Sequence, residues 1–374
     1  MNENSVHGPD SPPKPHLRDL REMDIDSLEA VQLGNTTQWI HLRGADPSNP
    51  VLLMIQQGPG LPMMNEIRRF EATLELEQEF TVVYWDQRGC GRSLRGHGGG
   101  DDATLSLMVN DTVALLEILN ERFSSKPYVM GFSMGATIGA FACAQRPDLV
   151  TTLIAVGTDV DGVAAGDSAY DFALRTARQR GQRRAIRQLE KIGPPPHRTV
   201  KQFGTRVRWA SNYRGVTTGQ SYGAVVGNLI ASLARSRDYA LGDVLRTLRG
   251  VTLAQAALLP EINAICLQRT LPVIDVPIVM VQGRLDMVAP GSAAEDYFNA
   301  LASPKKQLVW FDHSAHTPQY DEPQAFRDLL LRIRDDRRAP VSSAPYDVED
   351  QAVDTQTASK KVANETTNES GGPQ

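Results

Sequence analysis

The sequence has 374 residues, of which 41% are hydrophobic and 22% are charged, and its formal net charge is -5. This length and composition indicate a globular protein with a full core, built as one large α/β domain with an insertion or as two domains. The acidic balance argues against nucleic acid or an anionic membrane as the main partner and favours a small-molecule or short-peptide substrate.

Targeting and cysteine patterns give no sign of export. Cys90, Cys143 and Cys266 lie far apart without C-x-x-C spacing, so the sequence indicates neither a disulfide framework nor a zinc site. The N-terminal stretch has no apolar signal region, and no later stretch approaches the roughly eighteen uninterrupted apolar residues of a membrane helix. We therefore predict a cytoplasmic protein without a membrane span, with a homo-oligomer left open.

Strands and helices alternate through the first half of the chain. Residues 1–16 are polar and proline-containing and are predicted to be a disordered arm. In chain order the next predicted elements are strands at 38–43, 51–55 and 80–85, a helix at 105–122, a strand at 127–132, a helix at 134–145 and a strand at 150–156. Such alternation predicts βαβ units and a mostly parallel central sheet flanked by helices.

The rhythm changes between residues 158 and 275. Helical patterns appear at 170–193 and 239–245 without convincing strands, which predicts an inserted helical cap. A strand at 276–283, a helix at 291–302, a strand at 307–311 and a helix at 323–334 then follow. The predicted α/β core therefore comprises residues 17–157 and 276–337, and a disordered acidic tail is predicted at 338–374.

A Gly-Phe-Ser-Met-Gly sequence at residues 131–135 separates the predicted strand at 127–132 from the helix at 134–145. This is the G-x-S-x-G pattern of a nucleophile elbow, in which a tight strand-to-helix turn holds a serine in a strained conformation. Gly131 and Gly135 remove side chains that would clash in such a turn. The pattern predicts Ser133 as a nucleophile.

A nucleophilic serine needs a histidine to take its proton and a carboxylate to orient that histidine. In folds with such an elbow the serine is followed along the chain first by the acid and then by the histidine, each on a loop after a later strand. Asp286 follows the predicted strand at 276–283 and is the candidate acid. Asp159 and Asp161, which follow the strand at 150–156, are a second possible location for the acid.

Two histidines compete for the role of base. His313 and His316 both follow the strand at 307–311. We favour His316, because it lies on a turn of small residues ahead of the last helix, whereas His313 follows the strand too closely. A two-histidine metal site finds no support in an H-E-x-x-H pattern or a carboxylate cluster.

The oxyanion formed by serine attack must be met by preorganised N–H donors. The backbone N–H of Met134 is one expected donor, and the second is expected from Gly58 or Gln57, with Gly58 slightly preferred. The side-chain amide of Gln56 or Gln57 is a further candidate. These residues lie in a Gln-Gln-Gly-Pro-Gly turn directly after the strand at 51–55.

The combined motifs resemble the α/β-hydrolase fold and specifically the proline iminopeptidase-like serine hydrolases. The segments that carry this resemblance are 56–60 (Gln-Gln-Gly-Pro-Gly), 86–93 (Asp-Gln-Arg-Gly-Cys-Gly-Arg-Ser), 131–135, 283–286 (Gly-Arg-Leu-Asp), 315–318 (Ala-His-Thr-Pro) and 322–323 (Glu-Pro). The resemblance implies a triad of Ser133, Asp286 and His316, an acyl-enzyme mechanism of aminopeptidase or amide hydrolysis, and no metal or organic cofactor.

The chain also departs from that family. Aminopeptidases of the family usually have His-Gly-Gly-Pro-Gly where residues 56–60 stand, a tryptophan where this chain has Met134, and cap carboxylates that hold the substrate's amino group. Here the arginines and lysines of residues 175–214 are accompanied by Glu190 as the sole acid. Most of them are expected on a solvated helix face, and any that face the pocket suit an anionic or carbonyl-rich substrate. Esterase, lactonase or thioesterase activity, and a non-hydrolytic enzyme or ligand-binding role on this fold, are therefore alternatives.

Overall fold

The computed structural model describes residues 25–94, 103–123 and 125–338. The predicted arm at 1–16 lies outside the described residues, as does the predicted tail at 338–374 apart from Arg338. The chain divides into two compact units, Met1–Leu331 and Arg332–Gln374. The sheet and the candidate site belong to the first unit, and the described part of the second is the end of the last helix.

Eight strands form a single sheet. They are β1 (Ile25–Leu33), β2 (Thr36–Gly44), β3 (Val51–Ile55), β4 (Thr81–Asp86), β5 (Tyr128–Phe132), β6 (Thr152–Val156), β7 (Ile278–Gly283) and β8 (Lys306–Phe311). Their order is β1-β2-β4-β3-β5-β6-β7-β8, and β2 is antiparallel to both of its neighbours while all pairs from β4 to β8 are parallel. The predicted mostly parallel sheet is confirmed.

The described helices flank or interrupt this sheet. They are α1 (Ile67–Thr73), α2 (Leu105–Arg122), α3 (Met134–Gln145), α4 (Gly162–Gln179), α5 (Arg183–Ile192), α6 (Val200–Asn212), α7 (Tyr222–Arg235), α8 (Leu241–Ala264), α9 (Leu267–Thr270), α10 (Gly291–Ala300), α11 (Pro318–Asp321) and α12 (Pro323–Arg338). Among these described helices none is both long and apolar enough to cross a bilayer.

Both faces of the central strands are buried, which explains their unbroken apolar sequences. Successive side chains of a strand point to opposite faces, so Leu53 and Ile55 of β3 pack in the core cluster that also holds residues of α2 and α3. On another part of the sheet the ring of Phe132 at the end of β5 stacks with Phe70 of α1, at a centroid distance of 6.3 Å, and contacts Phe326 of α12.

Six helices, α4 to α9, connect β6 to β7 without an intervening strand. Asp161 accepts hydrogen bonds from the backbone N–H groups of Val163 and Ala164 and so begins α4. Thr199 and Gln202 form a capping box that begins α6. Tyr170, Ala173, Ala177, Ala185, Leu189 and Tyr213 form a small apolar cluster among α4, α5 and the end of α6.

Several boundaries differ from the sequence-based prediction. The helical pattern at 170–193 corresponds to two helices, α4 and α5, separated at Gly181, whose φ of +61° ends a regular helix. The pattern at 239–245 is the beginning of the longer α8. The prediction missed β1, an edge strand with partly exposed side chains on both faces, and also α1, α6 and α7.

The strand order brings the predicted site loops to one edge of the sheet. β3 lies between β4 and β5, so the direction in which successive strands are added reverses there. The carboxyl ends of parallel strands lie at the same edge, and a ligand crevice forms where the winding reverses. The loops after β3, β5, β6, β7 and β8 therefore meet at this edge.

Candidate active site

The turn that carries Ser133 is a strained elbow held by backbone contacts. Ser133 has φ 52° and ψ -122°, and its N–H donates to the carbonyl oxygen of Val156 at 2.8 Å. A methyl group at Gly131 would lie 2.4 Å from the carbonyl oxygen of Gly135, and one at Gly135 would lie 2.2 Å from that of Gln56. Both glycines are thus required for the close approach of β5, α3 and the loop after β3.

The loop after β3 lies beside the beginning of α3, which is where an oxyanion would be bound. Gly58 and Gly60 have φ values of +69° and +75°, which are readily available to glycine. Gln57 and Gly58 are half-buried. Met134 is the first residue of α3, where backbone N–H groups have no partner within the helix. The two predicted sources of oxyanion donors, Met134 and residues 57–58, therefore belong to adjacent backbone segments.

Gln56 differs from Gln57 in its environment. Its side chain is buried, and neither side-chain polar atom has a hydrogen-bond partner among the described residues. The same holds for Gln87, which follows β4. A buried amide without partners retains its full hydrogen-bonding capacity, which leaves the side chain of Gln56 unsatisfied in the free protein.

His316 and Asp286 form a buried pair. Nδ1 of His316 lies 2.7 Å from Oδ2 of Asp286, and the other carboxylate oxygen accepts hydrogen bonds from the backbone N–H groups of Val288 and Ala289, both at 2.8 Å. The carboxylate is therefore fixed by its own loop and can fix the tautomer and orientation of the imidazole. His313, the alternative base, is exposed, and its backbone N–H donates to Glu322.

The environment of His316 raises its pKa above the ordinary value of 6.5. Burial, the largest single influence, lowers the pKa, but the charge and hydrogen bond of Asp286 and the charge of Asp159 together outweigh it. The protonated imidazole is thus stabilised, which is the state that a general base reaches after it has accepted the serine proton.

The hydroxyl of Ser133 donates to Oδ2 of Asp159 at 3.4 Å, and within the described ranges it makes no hydrogen bond to His316. Asp159 follows β6 and is half-buried, and burial raises its pKa above the usual range despite the opposing influence of His316. Of the two acids proposed as alternatives after β6, Asp159 therefore lies in the site and Asp161 caps α4.

The imidazole of His316 nevertheless lies next to the elbow. A methyl group at Gly157, whose φ is +55°, would lie 3.0 Å from Nδ1 of His316. Gly157 directly follows Val156, the residue that accepts the hydrogen bond of the Ser133 N–H. Ser133 and His316 thus contact consecutive residues, Val156 and Gly157, at the end of β6.

The loop between α6 and α7 binds both of the loops that carry His316 and Asp286. The N–H of His316 donates to Val216 at 2.9 Å, and the N–H of Met287 donates to Gly215 at 3.1 Å. Asp321 adds a third connection, since its carboxylate accepts from the Thr217 hydroxyl at 2.7 Å and from the Ala315 N–H at 3.0 Å. Backbone bonds of this kind have no sequence signature, and the sequence analysis missed them.

Asp86 begins the segment at 86–93, one of the segments that carry the family resemblance. Its buried carboxylate accepts hydrogen bonds from the N–H of Met63 at 2.9 Å, the N–H of Arg92 at 2.8 Å and the hydroxyl of Tyr239 at 2.7 Å. Burial raises the pKa of Asp86, although these donors oppose the shift. Asp86 therefore joins the loop after β3, its own loop and Tyr239, which lies two residues ahead of α8.

Within the described ranges no group of three or more histidine, cysteine, aspartate or glutamate side chains is arranged to hold a metal ion. The chemistry available from the protein's own side chains at this edge is a serine hydroxyl, a histidine–aspartate pair and a further carboxylate. This set is typical of acyl transfer through a serine nucleophile.

Comparisons with known proteins show sequence similarity to serine aminopeptidases. A family model described as "Serine aminopeptidase, S33" matches residues 67–323. The probable aminopeptidase YbaC of Bacillus subtilis (strain 168) is 29% identical over 310 residues, which are 82% of this chain and 96% of that protein.

Solved structures of low sequence identity share the fold. The crystal structure of VinJ matches with a TM-score of 0.60 at 18% identity, over 83% of this chain and 98% of that chain. The proline iminopeptidase of Mycobacterium smegmatis matches with a TM-score of 0.55 at 19% identity, again over 83% and 98%. These matches confirm the predicted α/β-hydrolase fold.

Proposed function

Because the chain belongs to the S33 serine aminopeptidase family, whose model matches more than half of its length, we propose that this hydrolase is an aminopeptidase with a Ser133–His316–Asp286 triad. The observation that carries the proposal is the buried His316–Asp286 pair at 2.7 Å beside the strained elbow of Ser133. A small substrate with a free amino group, such as a short peptide or an aminoacyl amide, is the proposed substrate class.

In the proposed reaction the Ser133 oxygen attacks the substrate's carbonyl carbon while His316 takes the hydroxyl proton. The developing oxyanion accepts hydrogen bonds from the N–H of Met134 and from that of Gly58 or Gln57. His316 then returns the proton to the leaving amine as the C–N bond breaks and an acyl-enzyme forms. Water, deprotonated by His316, attacks this acyl-enzyme and releases the acid.

Asp159 supplies what an aminopeptidase needs besides the triad. The amino group of an aminoacyl substrate is attached to the carbon next to the reacting carbonyl, so it must lie close to the nucleophile. Asp159 is a half-buried carboxylate that already contacts the Ser133 hydroxyl. We propose that the substrate's ammonium group replaces the hydroxyl on Asp159, which frees the hydroxyl to turn towards His316.

The helices between β6 and β7 are proposed to act as the cap of this site, with the predicted limits of 158–275. Their own apolar cluster and the hydrogen bonds of residues 215–217 to the loops of Met287 and His316 support this role. The predicted cytoplasmic location and the oligomeric state stay predictions.

The proposal is tested by assaying aminoacyl arylamides with a free amino group beside their N-acetylated forms. We expect turnover of the free amines, a loss of about 100-fold or more on acetylation because Asp159 loses its cationic partner, and no turnover by Ser133→Ala. Labelling by a fluorophosphonate should occur in the wild type and be absent in Ser133→Ala. Equal labelling of both proteins would show that Ser133 is not the nucleophile.

Ester or lactone hydrolysis is a second candidate, since the same triad chemistry serves both kinds of bond. Met134 and Gln56, which differ from the residues usual in family aminopeptidases, favour it. Aryl esters without an amino group distinguish the two functions: if they are hydrolysed as well as the free-amine arylamides or better, the enzyme is an esterase and Asp159 has no role in substrate binding.

A further inference from the structure

One arginine of the helical segment is buried without a partner. Arg206 of α6 is only 6% exposed, and its Nε and one terminal nitrogen have no hydrogen-bond partner among the described residues. Nor does any described carboxylate lie within ion-pair distance of it. A buried cation that lacks a partner is costly to the folded state, so its retention calls for an explanation.

Arg206 keeps its charge in this position. Burial lowers its pKa from 12.5 to about 10, while the charges of Asp159 and Asp167 oppose the change. A pKa of about 10 still leaves the guanidinium protonated at neutral pH. The ring of Phe203, 5.0 Å from the guanidinium carbon, covers one part of it. The charge thus persists where water has little access.

The guanidinium lies towards the candidate site. A methyl group at Gly166 of α4 would be only 2.9 Å from a terminal nitrogen of Arg206, so that glycine makes room for the guanidinium. α4 begins directly after the loop that carries Asp159, the residue bonded to the Ser133 hydroxyl. Arg206 and Asp159 influence each other's charge but do not form an ion pair. Asp159 thus contacts the Ser133 hydroxyl, and Arg206 lies near enough to Asp159 for their charges to interact without an ion pair.

Two other arginines of the same helices have side-chain partners within the protein, although the buried Nε of Arg208 has none among the described residues. Arg208, two residues further along α6, donates to the side chain of Gln188 at 2.9 Å, and Arg178 pairs with Glu190 at 2.9 Å on the exposed surface. Arg208 is therefore a matched control for Arg206, since it lies on the same helix and carries the same charge.

We propose that Arg206 binds a carboxylate of the substrate while Asp159 holds its α-amino group. This inference rests on the proposed aminopeptidase function and deepens it: the substrate is a short peptide or aminoacyl amide that carries a carboxylate. An arginine fork matches a carboxylate in geometry and charge, and the bound anion supplies the partner that the free protein lacks. The carboxylate belongs either to an acidic N-terminal residue or to the free C-terminus of a dipeptide.

Kinetics with matched substrate pairs test the proposal and separate the two sources. A glutamyl arylamide is compared with a glutaminyl arylamide, and the dipeptide Gln-Ala is compared with Gln-Ala-amide. In one of these pairs we expect kcat/KM of the wild type to favour the carboxylate by about tenfold or more. Arg206→Met should abolish the preference, Arg206→Lys should keep part of it, and Arg208→Met should leave it unchanged. No preference in either pair, or one that survives in Arg206→Met, would overturn the proposal.

A binding measurement decides the matter without catalysis. In the Ser133→Ala background, the unfolding temperature is measured with the glutamyl arylamide against the glutaminyl arylamide and with Gln-Ala against Gln-Ala-amide. We expect one carboxylate ligand to raise it, and Arg206→Met to remove that rise. Without ligand, Arg206→Met should unfold at a higher temperature than its parent, because an unpaired buried charge is gone.

The two proposals fail in different ways. If free-amine arylamides are not hydrolysed at all but a carboxylate ligand stabilises the protein through Arg206, the aminopeptidase function is wrong and the carboxylate site stands. If neutral arylamides are hydrolysed and no carboxylate ligand acts through Arg206, the function stands and the inference about Arg206 is wrong.

Discussion

The elbow at the sheet edge and helix α7 differ in how tightly their glycines are enclosed. At the elbow, methyl groups on Gly131 and Gly135 would lie 2.4 Å and 2.2 Å from backbone oxygens, which cannot move aside cheaply. On α7, methyl groups on Gly223 and Gly227 would have no heavy atom within 4 Å. An added methyl group would therefore force the elbow backbone to move, whereas α7 has room for one at these two positions.

The core and the helical segment also differ in whether a buried arginine has a carboxylate partner. In the core, Arg88 makes a two-point contact with Asp111 at 2.8 and 2.9 Å, so its charge is satisfied inside the fold. Arg206 in the helical segment is equally hidden but has no such partner among the described residues. Removal of Asp111 would leave the Arg88 charge buried and uncompensated, which is the condition that Arg206 already has in the free protein.

The largest expected effect is that of Ser133→Ala, which tests whether the chemistry belongs to the sheet edge. We expect kcat to fall by about 10⁴- to 10⁶-fold, because the nucleophile is lost, with the unfolding temperature nearly unchanged. Rates are measured with the best substrate found in the arylamide and ester panel. A variant that kept a tenth of the activity would place the reaction elsewhere.

Gly135→Ala tests the rigidity of the edge. The added methyl would have to displace the carbonyl of Gln56, so we expect a loss of about 3 kcal/mol in the free energy of unfolding, and the oxyanion loop would shift with it. Chemical denaturation gives the stability and steady-state kinetics give kcat. If both values match those of the wild type, the close packing of α3 against the loop after β3 is not needed.

Asp159→Asn tests whether the charge of Asp159, which lies between the sheet edge and the helical segment, acts on His316. The pKa of His316 is raised partly by the Asp159 charge, and His316 must be neutral to act as base, so the activity of the wild type increases as the pH rises through that pKa. Removing the charge lowers the pKa of His316 and moves this acid limb of kcat/KM to lower pH. The profile is measured with an ester that has no amino group, and a limb that stays in place or moves to higher pH contradicts the assignment.

The smallest effect is expected for Gly227→Ala, the counterpart of Gly135→Ala. Gly227 is exposed in the middle of α7, so alanine gains helix propensity without meeting any atom. We expect a stabilisation of up to about 1 kcal/mol and unaltered kinetics. Destabilisation by this variant would mean that α7 packs against a partner through this face.

The sequence predicted the central strands and the loops at their carboxyl ends better than the helices between β6 and β7. β3, β5, β6 and β7 are buried on both faces and therefore have continuous apolar sequences, and the elbow glycines are visible because their spacing is fixed by geometry. Chain order after the strands was enough to propose His316 and Asp286, which the structure brings within 2.7 Å of each other.

The rest could not be predicted because it depends on contacts between distant segments. Asp86 was known only as the first residue of the motif at 86–93, yet its carboxylate accepts hydrogen bonds from Met63 and Tyr239, which are far away in the sequence. Arg206 was one arginine among many between residues 175 and 214, and only its burial distinguishes it. The edge strand β1 has few buried side chains and so lacks a clear apolar pattern.

The hydrogen bonds of residues 215 and 216 join the loop between α6 and α7 to the loops of the proposed base and acid. The N–H groups of His316 and Met287 both end on this short stretch, so lifting it off the sheet would also release the base and the neighbour of the acid. We therefore expect substrate to enter and product to leave by a route along which residues 215 and 216 do not move. A covalent cross-link between residues 215–216 and the loop of Met287 or His316 is accordingly expected to slow neither substrate binding nor product release.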